Sequence, residues 1–129
     1  IVHCTGNDRL IQLRGDKDRV DVYARSLDDD GKWQQLDAEG SAAIGREAVY
    51  VPRHETVLWL GDKELFALDC RNMRMAQVNI ELPGGLYTHE CAMVYDPAHD
   101  LCAALIPSRF SGPMQVFLYR FEPASASYR

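Results

Sequence analysis

No Cys-x-x-Cys occurs among the four cysteines at 4, 70, 91 and 102, which removes zinc-ribbon and thioredoxin-type readings. Gly-x-Ser-x-Gly, His-Glu-x-x-His and phosphate-binding loops are also missing, so no catalytic set can be named from spacing. Apolar runs such as Thr56 to Gly61 are far too short to be read as a membrane span. There is no basic segment followed by an apolar stretch, hence no legible signal peptide. The chain opens at Ile1 and is expected to be processed or cut from something longer. No Asn-x-Ser/Thr acceptor occurs, which disfavours a glycosylated life outside the cell. Basic residues never gather: Arg9, Arg14, Lys17, Arg53, Arg71, Arg74 and Arg109 are interleaved with acids, and net charge is −5. Nucleic-acid binding by phosphate neutralisation is therefore disfavoured.

What is present is ordinary globular composition, 47% hydrophobic and 26% charged, in 129 residues, about one domain by length. Cys70 and Cys102 lie inside apolar runs, so the cysteines are expected to be reduced and to pack as small hydrophobes. An oxidising compartment would allow them three pairings.

The main signal is internal repetition. AVYVPRHETVLWL (48–60) aligns with MVYDPAHDLCAAL (93–105) at an offset of 45, matching Val49 with Val94, Tyr50 with Tyr95, Pro52 with Pro97, His54 with His99 and Leu60 with Leu105. Each segment reads as two apolar strands around a proline turn. The strand runs are nearly continuous rather than alternating, which predicts sheets covered on both faces. Third strands are expected at Leu65–Leu68 and Val116–Tyr119, and a fourth at Ala76–Leu82, ending at Pro83-Gly84-Gly85. A weaker N-terminal copy matches Ile11–Asp16 with Val57–Asp62 at offset 46. It continues through Val20–Arg25, a turn at Asp28–Gly31 and a strand at Lys32–Leu36. Only Arg71–Gln77 lacks strand character, too little for a helical core.

The predicted class is thus all-β, with about three four-stranded antiparallel units, roughly 1–44, 45–88 and 89–129. The paired VYxPxH[E/D] hairpins, and the spacing from Val22-Tyr23 to Lys32-Trp33, resemble Kelch-type repeats. The resemblance covers nearly the whole chain. The Gly-Gly doublet usual after the second Kelch strand is a single Gly15 or Gly61 here, and the third copy lacks it. The resemblance implies blades of a Kelch-like β-propeller. Three blades do not close a ring and would leave two apolar end faces in water. Further blades of the same protein are expected to complete it, or else a second copy of the chain.

Propellers carry function on loops at one face of the ring. That implies a non-catalytic binding or scaffolding module recognising a protein or a glycan, with no cofactor. On this model the face carries Gly15–Arg19, Gly61–Glu64, Pro107–Pro113, Asp37–Arg46 and Pro83–Glu90. The candidate partner-binding residues are Arg109 and Phe110 in the longest loop, with Tyr87, His89 and Glu90 near the channel mouth. The alternative is a propeller enzyme, either copper oxidase-like, drawing on Tyr87, His89 and Cys91, or a sugar-active hydrolase. His54 and His99 recur at one place in different units, which separates them too far for a shared metal. A turn-fixing hydrogen bond, with Glu55 or Asp100 beside them, is the expected role. Trp33 and Trp59 are expected within strands, packing unit against unit. Gly40–Gly45 reads as a linker between units.

Overall fold

The computed structural model describes residues 2–6, 8–28, 31–82, 90–107 and 112–126. Among them are no α-helix and three antiparallel sheets. The first sheet contains β1 (Val2–Cys4), β2 (Arg9–Gly15), β3 (Val20–Ser26) and β4 (Gln34–Leu36). The second contains β5 (Ala48–Val51), β6 (Thr56–Leu60), β7 (Leu65–Asp69) and β8 (Arg74–Val78). The third contains β9 (Ala92–Asp96), β10 (Leu101–Ile106) and β11 (Gln115–Tyr119). In each sheet, strands consecutive in sequence are neighbours.

One backbone feature defines the repeat. Asp8, Glu55 and Asp100 close the turn between first and second strands in left-handed backbone, at φ 52°, 47° and 52°. Few residues other than glycine take that conformation, and Asp is among those that tolerate it. The spacing 100 − 55 = 45 agrees with the sequence alignment of the second and third units. The spacing 55 − 8 = 47 corrects the N-terminal alignment by one residue. Ile11 therefore corresponds to Leu58, not Val57. A slip of one reverses the face that every side chain presents.

The second sheet is the doubly covered one. Val57, Trp59, Phe66, Leu68 and Met75 pack with Ile11, Val22 and Ala24 of the first sheet. Leu58, Leu60, Leu65, Ala67 and Val78 pack with Met93, Cys102, Ala104 and Ile106 of the third. All five residues of β6 are consequently buried, as its unbroken apolar run predicts. The first strands β1, β5 and β9 run beside one another. The linker is held to the second sheet rather than looping free. Glu39 forms a parallel bridge to Arg74, and a Cβ on Gly45 would stand 1.9 Å from the Leu60 carbonyl oxygen. Only glycine permits that approach.

Four expectations change. Arg74–Val78 is a strand, starting two residues before the predicted one, so the stretch 71–77 is not without strand character. Trp33 lies ahead of β4 and outside any strand, whereas Trp59 fills the first core. The third unit has three strands among the described residues, not four. After β11 the chain buries Phe121, turns at Pro123–Ser125 and reaches the second sheet's edge, where Asn79 N–H donates to the Ser125 carbonyl (2.7 Å) and Val78 bridges Ala126. Finally, the two end faces differ. The first sheet's outer face carries Gln12, Arg14, Asp21 and Tyr23, with the Arg14 guanidinium 4.3 Å over the Tyr23 ring. Among the described residues, only the third sheet's outer face is apolar.

Candidate functional site

Of the candidate partner-binding residues, Glu90 is exposed just before β9, while Tyr87, His89, Arg109 and Phe110 lie outside the described residues. Cys91, part of the copper alternative, points into the apolar core between second and third sheets, where burial raises its thiol pKa.

The two proline turns form one wall of a groove of about 580 Å³ that includes Arg53, Tyr95, His99, Asp100 and Arg120. The left-handed backbone at Asp100 turns its carboxylate toward β9, where the Tyr95 hydroxyl donates to it at 2.8 Å. Arg53 of the second sheet donates to the same carboxylate at 3.4 Å, tying the two sheets together. The Arg120 guanidinium donates to the His99 carbonyl. Of the two turn histidines, His99 makes the expected local hydrogen bond, whereas His54 makes a ring contact. His99 pairs with Asp96, not Asp100, and holds that carboxyl below its usual range. The His54 ring packs edge-on against Phe121 at 5.6 Å, and the Thr56 hydroxyl donates to the His54 carbonyl. Tyr95 fastens the third-sheet turn from β9 as well. Burial and its bond to Asp100 push the Tyr95 hydroxyl up to about 12 from 10.0. A group raised in the folded state stabilises it below its unfolded pKa and stops doing so as pH climbs through the folded one. Tyr95→Phe should therefore cost about 1 kcal/mol at neutral pH. In urea titrations, the gap between wild type and variant should close between pH 10 and 12. A gap independent of pH would mean the hydroxyl plays no such part.

At the other ends of the sheets, the β2–β3 and β6–β7 turns meet the linker around a cleft of about 600 Å³. Its polar lining includes Lys17, Asp18, Ser41, Glu64, Gln77 and Asn79. Three of the loop segments expected to face a partner thus contribute to one concavity.

The third feature is the open face of the third sheet. Register places Val94 and Leu118 on either side of Ala103, and Ala92 and Val116 on either side of Leu105. All six point to the side away from Met93, Cys102 and Ala104, which are in the core. Val116 and Leu118 are 60% and 61% exposed. Their counterparts Leu65 and Ala67, matched through the pairs Leu60–Leu65 and Leu105–Val116, are 3% and 0% exposed. Val94, Leu105 and Met114 are exposed as well. Monomeric surfaces rarely leave such an apolar group uncovered unless something docks there.

Compared with family models, with curated proteins and with solved structures, the chain finds no match in any of the three.

An apolar end face was expected of an incomplete ring, but the residues that form it were not named, although their signal was there. Leu105 aligns with Leu60, and extending that alignment through the next strand marks Val116 and Leu118 as copies of core positions.

Proposed function

We propose that this chain is a segment of a Kelch-like β-propeller and serves as a non-catalytic scaffolding and binding module. Its primary partner is a further four-stranded sheet of the same kind, received on the open face of the third sheet. The observation that carries this reading is the equivalence of that face with the covered face of the second sheet: Leu58, Leu60, Leu65 and Ala67 recur as Ala103, Leu105, Val116 and Leu118. Burying such side chains contributes roughly 1.5–3 kcal/mol for each large one. The arriving sheet would present an apolar face like that of Val57, Trp59 and Phe66. A ring closed by two copies joined head to tail is disfavoured, because it would set this apolar face directly against Arg14 and Asp21 of the first sheet's polar outer face. The polar cleft at the loop ends, with donors and acceptors of both charges, suits a glycan or a peptide backbone. Arg109, Phe110, Tyr87, His89 and Glu90 remain the proposed contacts around that end.

In the isolated chain a second copy is the available occupant, third sheet against third sheet about a two-fold axis. Light scattering after size exclusion should show concentration-dependent association that Val116→Lys with Leu118→Lys abolishes while the circular dichroism spectrum stays strand-like. A wild-type chain that remains monomeric at high concentration, and binds no hydrophobic dye, would remove the open-face reading.

A further inference from the structure

Cys4 ends β1 in the first sheet, and Cys70 directly follows β7 in the second. They are 66 residues apart in sequence, both buried, and both in the core that joins the two sheets. The two side chains interact directly across that seam, and the Cys70 thiol donates to the Leu68 carbonyl at 3.8 Å. Arg9 is paired with Cys4 in the β1–β2 register, and its guanidinium donates to the Cys70 carbonyl at 3.3 Å. Arg9 Nε is buried with no hydrogen-bond partner. Buried donors without partners are rare, and one beside two thiols matches an anionic sulfur. The interaction with Cys70 lowers the Cys4 thiol from its ordinary value. Burial opposes that, and Arg9 adds to the lowering. Cys70, beside Cys4 and itself buried, is raised.

The other two cysteines make an internal control. Cys91 and Cys102 also share a core, but the pairing of Ala92 with Leu105 puts Cys91 alongside Ile106, four residues along β10 from Cys102. At about 3.3 Å per residue that is some 13 Å, beyond disulfide reach.

We propose that Cys4 and Cys70 form an oxidation-responsive dithiol that closes to a disulfide between the first and second sheets when hydrogen peroxide is the oxidant. This is independent of the scaffolding reading. The Cys4 thiolate attacks one peroxide oxygen, forming an S–O bond as the O–O bond breaks and hydroxide leaves. The Cys70 sulfur, giving up its proton to the departing hydroxide, then attacks the sulfenic sulfur, forming the S–S bond as the S–O bond breaks. The two hydroxides take up the two thiol protons as water, and the sulfurs give up the two electrons the peroxide gains. Cys4 lies on a three-residue edge strand, the kind of element whose local opening admits a small oxidant.

The test is peroxide treatment of the reduced, folded chain, then alkylation and non-reduced peptide mapping. Two of the four thiols should disappear, and the tryptic peptide ending at Arg9 should be linked to the one ending at Arg71. The melting temperature should rise by roughly 10 °C, as expected for closing a long loop. Dithiothreitol should reverse both changes. A chain carrying Cys91→Ala and Cys102→Ala should behave like wild type, and one carrying Cys4→Ser should form no link. Links through Cys91 or Cys102, links between chains, sulfinic acid without a link, or four thiols unchanged would each overturn the proposal.

Discussion

Trp59→Ala should lower the unfolding free energy by about 3–5 kcal/mol, a large part of what a chain of this size has. Trp59 is the largest of the fully buried side chains and sits mid-way between the first and second sheets. Its ring stacks on Phe66 at 5.8 Å and 27°, and its Nε1–H donates to the Ala43 carbonyl at 2.8 Å. The second contact matters as much as the first, because it fastens the linker over the core. A Cβ on Gly45 would lie 3.0 Å from the Trp59 ring, so the backbone there is already in contact with it. Trp59→Phe keeps much of the stacking area but leaves the Ala43 carbonyl without its donor, so it should cost less, roughly 1–3 kcal/mol. Urea unfolding of the three proteins separates the contributions. If the Phe variant is as stable as wild type, the linker is not held by this hydrogen bond. If the Ala variant loses under 1 kcal/mol, the first and second sheets do not share the core described.

The physical reason some elements were legible and others were not is visible residue by residue. β6 could be read directly, since Thr56–Leu60 has no alternation and a strand without alternation must be covered twice. The proline turns were legible because Pro52 and Pro97 restrict their own backbone. β8 was harder. Arg74 and Gln77 interrupt its apolar pattern, because Arg74 reaches toward Glu39 of the linker and Gln77 faces the cleft. That pattern answers to a neighbour distant in sequence. The same applies to Cys4. In the repeat it stands where Val51 does, and packing alone would make it interchangeable with valine. Its special environment comes from Cys70 and Arg9, which approach only once the sheets are stacked. The polar outer face of the first sheet was missed because an alignment in error by one residue turns Gln12 and Arg14 inward on paper. Left-handed backbone at Asp8 is the feature that sets the alignment right, and an aspartate carries no sequence mark of its φ.

Leu65→Lys and Val116→Lys place the same charge at equivalent positions on two sheets, and opposite outcomes are expected. Leu65 is 3% exposed between the second and third sheets, with Leu60 opposite and Val78 on the neighbouring strand. No acidic side chain is buried among the described residues, so the lysine would have to enter that core uncharged or force the sheets apart. The cost should exceed 4 kcal/mol, on the order of the whole stability, and the variant should be unfolded or insoluble at 25 °C. Val116 occupies the same place on the third sheet but is 60% exposed. There the lysine keeps its water, and at micromolar concentration the unfolding free energy should change by no more than a surface substitution usually changes it, about 0.5 kcal/mol in either direction. The contrast tests the central asymmetry of the molecule, one apolar sheet face closed and its copy open. If Val116→Lys unfolds the dilute chain as Leu65→Lys does, something already covers the third sheet in solution, and the face cannot be waiting for another sheet.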